Sequence, residues 1–275
     1  MNPHRAHPFS IVALIASTWR HRHLILQMTK RDVIGRYRGS ALGILWSLFN
    51  PLLMLVVYTF VFSVVFKTRW GTGSDSKTEF AIVLFAGLIP FSLLVECVNR
   101  APGLVLANVI YVKKVVFPLE ILPWVILGGA LFHAAISVAV LLAFYLLVNH
   151  ALQWTVVLAP LVFVPLLLMT MGLTWFLSAL GVFLRDVGQT VGLFTGVLMF
   201  LSPIFYPVSS LPEQYRYLLM LNPLSYLIEE MRNVLVFGRL PDWTMLGAFT
   251  LGSTIVAWLG FAFFQKARNG FADVL

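Results

Sequence analysis

The chain has 275 residues, of which 60% are hydrophobic and 11% are charged, and its formal net charge is +8. Soluble domains carry about 25% charged residues, so this composition excludes a single soluble domain and indicates a polytopic membrane protein. Most lysines and arginines stand at the ends of apolar runs, where lipid headgroups lie, which argues against nucleic acid as a partner. The lone cysteine, Cys97, excludes a framework of disulfides.

The N-terminal segment is predicted to lie in the cytoplasm or at the membrane interface. Arg5 and the apolar stretch after it resemble a signal peptide, but a basic Trp-Arg-His-Arg run follows at once and no small-residue cleavage site is present. Residues 22–40 predict a basic helix that lies in the membrane plane. Leu26, Val33 and Tyr37 are predicted to share the apolar face of this interfacial helix.

Six apolar runs predict an all-α membrane protein with six transmembrane helices, since a bilayer core of about 30 Å needs about 20 helical residues. The predicted parts are the N-terminal segment (1–41), a transmembrane domain (42–265) with spans at about 42–66, 80–99, 119–148, 156–183, 188–206 and 243–265, and a cytoplasmic tail (266–275). Most lysines and arginines then fall on the side of the two termini. The positive-inside rule therefore places both termini in the cytoplasm.

The fifth span carries Gly188, Gly192 and Gly196 at four-residue spacing, which puts all three on one helix face. Glycine on such a face lets another backbone approach closely. The pattern fits either helix packing within one subunit or a subunit interface, and the residues alone do not choose between the two.

The segment 203–241 holds five prolines and several charges, so it does not predict an ordinary span. Ser210 and Glu213 form a capping-box pattern, and Asn222 precedes a proline as a second N-cap. We expect two short re-entrant helices here, between spans five and six, around a water-filled path. Four tyrosines of the segment fit either an interfacial aromatic belt or the lining of that path: Tyr206, Tyr215, Tyr217 and Tyr226.

The loop 100–118 joins the second and third spans. It is too apolar for a solvated loop, and it carries Lys113 and Lys114. We expect it to pack against a protein partner or against the cytoplasmic membrane surface.

Sequence motifs for nucleotide binding, metal binding and covalent catalysis are missing. Residues 71–78 nearly match a phosphate-binding loop, but Ser76 replaces the second glycine and no strand is predicted before it, so we interpret them as a polar turn. We expect no metal, cofactor or catalytic residue in this chain, and hence no enzyme activity. Glu96 is expected to pair with Arg100 one turn later rather than relay protons, and His133 to be a neutral, hydrogen-bonded side chain.

Four stretches resemble type-2 ABC permeases that export polysaccharides. They are RDVIGRYRGSALGILWSLFNPLLMLVVYTFVFSVVF (31–66), YVKKVVFPLEILP (111–123), FLRDVG (183–188) and FYPVSSLPEQYRYLLMLNPLSYLIEEMRNVLVFG (205–238). The similarity runs in order over nearly the whole chain. It is nearest to the O-antigen exporters of lipopolysaccharide assembly, with teichoic-acid and capsule exporters as near relatives.

The resemblance implies a permease of the bacterial inner membrane that moves an undecaprenyl-diphosphate-linked O-antigen. The permease would be a homodimer and would bind two copies of a separate ATPase, which holds the ATP and the Mg²⁺. Two alternatives come from other classes: an ion-gradient-driven flippase of lipid-linked sugars and a membrane-embedded glycan transferase. The first would need a richer set of buried charges, and the second would need a catalytic pair.

The resemblance also implies roles for residues of this chain. It assigns ATPase coupling to Val105, Leu106, Asn108, Val109, Tyr111, Lys113, Lys114, Arg185 and Asp186. It assigns substrate entry at the membrane surface to Arg31, Arg36, Tyr37 and Arg38. For the arginines among these, plain lipid anchoring is the alternative role. It assigns the lining of the channel, or its outer gate, to Tyr58, Phe62, Phe205, Tyr206, Tyr215, Tyr217 and Tyr226. It assigns close packing across the dimer interface to Gly188, Gly192 and Gly196.

Overall fold

The structure is a computed structural model that describes residues 10–61, 77–113, 117–220 and 222–275. Within these ranges every regular element is helical, which confirms the all-α prediction there. The α-helices are α1 (Ile11–Arg20), α2 (Arg22–Tyr37), α3 (Trp46–Thr59), α4 (Lys77–Arg100), α5 (Val109–Lys113), α6 (Leu122–Asn149), α7 (Ala159–Phe183), α8 (Val187–Leu201), α9 (Glu213–Met220), α10 (Pro223–Arg232), α11 (Trp243–Ala267) and α12 (Phe271–Val274).

Four helical segments of the described chain are long and apolar enough to cross a membrane. They are Thr78–Arg100, Leu119–Asn149, Trp154–Phe183 and Trp243–Val274, at the positions of four of the predicted spans. At the positions of the other two lie shorter apolar helices, Gly43–Thr59 and Val187–Leu201. The count of six spans therefore stays a prediction.

The two shorter apolar helices differ from the predicted spans for different reasons. The predicted first span continues into residues 62–66, which lie outside the described part of the chain. The predicted fifth span continues to residue 206, whereas α8 ends at Leu201. Ser202 is already extended (φ −103°, ψ 145°), because Pro203 disfavours helical backbone at the residue before it.

Helix α2 packs against α6 of the bundle. Thr29 lies over Gly128 of α6, where a Cβ atom would stand 2.7 Å from the threonine side chain. Met28 and Val33 are buried, whereas Leu26 is 66% exposed. Val33 therefore faces the bundle while Leu26 does not, and contact of Leu26 with the membrane stays a prediction.

Helix α4 lies at the centre of the bundle, in contact with α3, α6, α7, α8 and α10. Beside it, α7 and α11 pack backbone to backbone where Gly172 meets Gly260. A Cβ atom at Gly260 would lie 2.0 Å from the Gly172 carbonyl oxygen, so this crossing requires glycine. This close crossing uses a pair of glycines outside the predicted glycine face of α8.

Two short helices follow α8, as predicted, although only one of their predicted caps forms. The Asn222 side-chain oxygen accepts a hydrogen bond from the Leu224 N–H at 3.0 Å and caps α10. The Ser210 hydroxyl instead donates to the Pro207 carbonyl at 2.8 Å, and α9 begins at Glu213. The predicted capping box is therefore wrong. Re-entry of α9 and α10 into the membrane stays a prediction.

The N-terminal helices and the C-terminal residues meet at one end of the bundle, which we call the terminal end. Ser17 of α1 donates to the Glu120 carboxylate at 2.9 Å, and Arg268 donates to the same carboxylate at 2.7 Å. Phe271 is fully buried, so the predicted tail 266–275 folds onto the bundle. The side of the membrane on which this end lies stays a prediction. The opposite end, where α4 begins, is called the distal end.

Candidate functional site at the terminal end

Two segments predicted to contact an ATPase lie side by side at the terminal end. The loop after α4 crosses the end of α7, and the Pro102 carbonyl oxygen would stand 2.2 Å from a Cβ atom at Gly181. A Cβ atom at Gly188 of α8 would lie 4.0 Å from the Pro102 ring. These contacts bring residues 102–113 and 184–188 into one surface, which we call the coupling surface.

The coupling surface includes an apolar ridge, Leu106 and Ile110, and several exposed charges. Ile110 is 65% exposed, and Leu106, four residues earlier, is 37% exposed. Lys113 of α5 is exposed, and so are Arg185 and Asp186 in the turn before α8. Ile110 was missed among the predicted coupling residues, although its four-residue spacing from Leu106 was a signal for a shared helix face.

The remaining predicted coupling residues support the loop from within. Val105 is fully buried, and Val109 is half-buried. The Asn108 side-chain amide donates to the Leu104 carbonyl at 2.8 Å. These side chains therefore hold the shape of the loop rather than face outward. Lys114 lies outside the described residues.

Tyr111 connects the coupling surface to α2. Its ring stacks on Phe117 with centroids 4.4 Å apart, and its hydroxyl accepts a hydrogen bond from Arg31 at 3.1 Å. Lys113 donates to the main-chain carbonyl of Leu275, at the end of α12. Helix α5 therefore cannot shift without changing its contacts to both the N-terminal and the C-terminal segments.

A polar network joins α2 to α4 and α6 (Asp32, Arg36, Tyr37, Glu96, Arg100 and His133). Arg100 donates two hydrogen bonds to the Asp32 carboxylate, at 2.7 and 3.2 Å. Arg36 donates to Asp32 at 3.1 Å and also to Glu96. The expected local pair of Glu96 with Arg100 is present as a longer contact, at 3.9 Å. Two guanidinium groups thus face two carboxylates, which balances the charge of the network.

His133 extends the polar network into α6. Its Nδ1 lies 2.9 Å from a Glu96 oxygen, and its Nε2 lies 2.9 Å from the Tyr37 hydroxyl. The prediction that His133 is hydrogen-bonded is confirmed. Gly129, one turn earlier, leaves room for the network, since a Cβ atom there would stand 3.1 Å from both Arg36 and Asp32.

Burial and charge act against each other on the α2 side of the network. Burial raises the pKa of Asp32 above its ordinary value, although the charge of Arg36 acts in the opposite direction. Burial lowers the pKa of Arg36, but the hydrogen bond and the charge of Glu96 outweigh it, so the pKa ends above its ordinary value. Burial also raises the pKa of the Tyr37 hydroxyl. Arg36 is therefore held in its charged form.

The four residues predicted for substrate access have different surroundings. Arg36 and Tyr37 belong to the polar network, and Arg31 donates to Tyr111. Arg38 lies just beyond α2 and is exposed, which leaves its guanidinium accessible to a lipid phosphate. The structure therefore separates residues that hold α2 in place from one that faces outward.

A buried arginine links several segments at the distal end. Arg232 of α10 is fully buried and donates to the carbonyl oxygens of Val83, Pro203 and Ile204 at 2.6–3.0 Å. It also pairs with Glu229 at 2.7 Å. Sequence reasoning missed this role, since its neighbours in sequence mark Arg232 only as one charge among several in a proline-rich segment.

The predicted gate residues fall into two aromatic sets within the described chain. In the first set, Phe205 lies between Tyr58 of α3 and Phe200 of α8, with ring centroids 6.2 and 6.1 Å apart. The Tyr206 hydroxyl donates to the Phe200 carbonyl at 2.8 Å. This set joins α3 to the end of α8.

The second aromatic set lies against α11. Tyr226 stacks on Phe249 with centroids 4.3 Å apart. Tyr215 of α9 is 50% exposed. Phe62 and the side chain of Tyr217 lie outside the described residues. The structure therefore does not gather all of the predicted gate residues into one cluster.

The glycine face of α8 is open in the isolated subunit. A Cβ atom at Gly192 or Gly196 would meet no described atom within 4 Å. On the same helix, Leu193 is 74% exposed and Phe200 is 70% exposed. The close approach that these glycines permit is therefore not used by the described part of this subunit, which leaves the subunit interface as their predicted role.

Comparison with known proteins identifies the family of this chain. Residues 23–236 match the ABC-2 type transporter family. The chain belongs to this family. An O-antigen export system permease protein RfbA of Myxococcus xanthus is 28% identical over 96% of this chain and 99% of the relative. An RfbA of Klebsiella pneumoniae is 28% identical over 92% of this chain and 95% of the relative. The polysialic acid transport protein KpsM of Escherichia coli is 24% identical over 87% of this chain and 91% of the relative.

The ABC-2 match covers the features described above. It begins in α2 and ends in the π-helical turn Asn233–Phe237, so it includes the polar network, the coupling surface and Arg232. The resemblance inferred from the four sequence stretches is confirmed. This ABC-2 chain therefore carries its candidate site within the part that it shares with the family.

Proposed function

We propose that the chain is the permease subunit of an ATP-driven exporter of lipid-linked polysaccharide, with an undecaprenyl-diphosphate-linked O-antigen as cargo. The names of the relatives support this cargo, since two are O-antigen export permeases and one transports polysialic acid. The permease works as a homodimer in the bacterial inner membrane, with its termini in the cytoplasm. Two copies of a separate ATPase bind ATP and Mg²⁺ and supply the energy, so the permease itself needs no catalytic residue.

The coupling surface is the observation that carries this proposal. The exposed apolar ridge formed by Ile110 and Leu106 supports a protein-binding patch, since adjoining exposed apolar side chains mark interaction surfaces. The ATPase docks on this patch, and its movement reaches α2 through the contact between Tyr111 and Arg31. The polar network then passes the movement from α2 to α4 and α6.

The proposed cargo meets the permease at Arg38 and at the first aromatic set. A pyrophosphate at the cytoplasmic leaflet forms charge-assisted hydrogen bonds with an exposed guanidinium. The apolar C–H faces of sugar rings stack on aromatic side chains such as Tyr58 and Phe205, which hold a glycan weakly enough for it to slide. The glycine face of α8 brings the two subunits together around this path.

Reconstitution in proteoliposomes tests the proposed function directly. The purified chain, together with a separate ABC ATPase subunit, is expected to move the lipid-linked glycan only when ATP is present. Movement by the chain alone, driven by a proton or sodium gradient, would replace the proposal with the flippase alternative. Formation of a new glycan product by the chain alone would replace it with the transferase alternative.

Ile110→Asp tests the docking role of the coupling surface. A charge on the apolar ridge is expected to weaken ATPase binding by about ten-fold or more, since a buried anchor residue commonly contributes more than about 1 kcal/mol. Co-purification and ATP-dependent transport measure the effect. Leu152→Asp is the matched control, because Leu152 is 47% exposed in the loop after α6. Normal ATPase binding by the Ile110 variant would refute the assignment of this surface.

Gly192→Leu tests the subunit contact. The larger side chain is expected to shift the purified protein from dimer to monomer, measured by mass photometry, because it blocks close approach of the second backbone. Gly247→Leu is the control, since a Cβ atom there also meets no described atom within 4 Å. A Gly192 variant that stays dimeric and transports normally would remove α8 from the interface.

A further inference from the structure

A groove of about 740 Å³ runs along α7 and α11 on the outside of the bundle. Its floor is the crossing of Gly172 and Gly260, where the missing side chains leave space. Phe176 and Phe263 line it and pack on each other with centroids 4.9 Å apart. This volume lies within the range of roughly 300–1,000 Å³ that is typical of ligand pockets. The groove belongs to neither the coupling surface nor the polar network.

One end of the groove is polar. Lys266 and Asn269 line this end and are exposed. Gln265 also lines the groove, but it is only 5% exposed, and its Oε1 atom has no hydrogen-bond donor among the described residues. The polar end of the groove therefore offers one exposed cation, Lys266, beside uncharged amide side chains.

The length of the groove corresponds to one leaflet of a bilayer. From Val256 to Lys266, α11 rises by about 15 Å at about 1.5 Å per residue, which is half of a hydrocarbon core of roughly 30 Å. Both residues line the groove. Its apolar part therefore lies at the depth of acyl chains in the leaflet on the side of the terminal end, and its polar part lies at the depth of headgroups.

We propose that this groove binds an anionic glycerophospholipid, such as phosphatidylglycerol. An acyl chain lies along the apolar walls, and the Lys266 ammonium pairs with the phosphate. Lys266 is the only cation among the described residues that line the groove. One cation matches one phosphodiester better than a pyrophosphate, so the ligand is a membrane lipid rather than the exported cargo.

Native mass spectrometry of the purified, delipidated chain tests this site. The chain is titrated with phosphatidylglycerol and with phosphatidylcholine of the same acyl chains, and we expect one saturable phosphatidylglycerol per chain that binds more tightly. Ala262→Trp fills the groove and is expected to weaken the binding of both lipids by about ten-fold. Lys266→Glu is expected to weaken the binding of phosphatidylglycerol alone, because it reverses the charge of the residue that faces the headgroup.

Two control variants keep the test specific. Leu251→Trp adds the same bulk on α11 at a residue that is 67% exposed and does not line the groove. Lys30→Glu reverses an exposed charge on α2. Both controls are expected to bind lipid like the unmodified chain. Unchanged phosphatidylglycerol binding in the Lys266 variant would overturn the proposal. So would a Lys30 variant that lost as much phosphatidylglycerol binding as the Lys266 variant. Both outcomes can be read even if the Ala262 variant fails to fold.

Discussion

The two ends of the bundle join their helices in opposite ways. At the terminal end, the polar network spreads the contacts over several side chains of α2, α4 and α6, and its ion-paired arginines and carboxylates are 21–33% exposed. At the distal end, the fully buried side chain of Arg232 concentrates hydrogen bonds from α10 to α4 and to the segment after α8. Partly exposed ion pairs are individually weak, whereas a buried charge is costly to leave without partners. The terminal end is therefore suited to rearrangement and the distal end to rigidity.

This difference agrees with the proposed exporter. The ATPase docks at the terminal end, so the contacts that must change during its cycle are the ones that exchange partners at little cost. Arg36 can move between Asp32 and Glu96 without losing an anionic partner. Arg232 has no such freedom, because backbone carbonyls fix three of its hydrogen bonds.

Arg232→Leu is expected to have the largest effect on stability. It removes the donor for three carbonyl groups and the partner of Glu229, so we expect a loss of about 3–5 kcal/mol. The apparent unfolding temperature of the purified protein in detergent measures this loss. Arg239→Leu is the matched control, because Arg239 is an exposed arginine of the same region. Equal unfolding temperatures for the two variants would contradict the role of Arg232.

Alanine substitutions compare the two ends directly, because a glycine lies beneath an arginine at each. A Cβ atom at Gly87 would stand 2.6 Å from Arg232 Nη2, whereas one at Gly129 would stand 3.1 Å from Arg36 Nη2. The fixed Arg232 cannot give way, so Gly87→Ala is expected to cost about 1–3 kcal/mol. Arg36 can shift toward solvent, so Gly129→Ala is expected to cost less than about 1 kcal/mol. The reverse order of unfolding temperatures would show that the terminal end is the rigid one.

Local sequence patterns predicted the helices and some of their ends. The apolar runs placed α4, α6, α7 and α11, because length and hydropathy are properties of neighbouring residues. Asn222 before a proline predicted the start of α10 for the same reason. Ser210 failed as a cap although its pattern was correct, since its hydroxyl is engaged by the preceding turn.

Contacts between distant parts of the chain could not be predicted from these patterns. Arg232 and Val83 are 149 residues apart, and no local feature links them. The Glu96 carboxylate was assigned to Arg100 on its own helix, but its shorter contacts come from α2 and α6. Glycine spacing likewise identified an open face on α8 and missed the crossing of α7 with α11, because spacing does not tell which helix lies opposite.

Asp32→Asn is expected to have the smallest effect near neutral pH, less than about 1 kcal/mol, because its ion pairs are partly exposed. The effect depends on pH. Burial raises the pKa of Asp32 in the folded chain, so the folded state holds this proton more tightly than the unfolded chain does. Asp32 therefore adds stability at low pH, and this stability is lost as the pH rises through the pKa of the folded state. Asparagine does not titrate and removes this contribution.

We therefore compare the unfolding temperatures of the unmodified chain and of Asp32→Asn. The value for the unmodified chain minus that for the variant is expected to be larger at about pH 4 than at about pH 7. Asp273→Asn, at an exposed residue of α12, is the control and should show no such trend. An opposite trend would mean that the ion pairs with Arg36 and Arg100 outweigh the cost of burying Asp32. The terminal end would then be fixed by strong ion pairs, and its suitability for rearrangement would no longer distinguish it from the distal end.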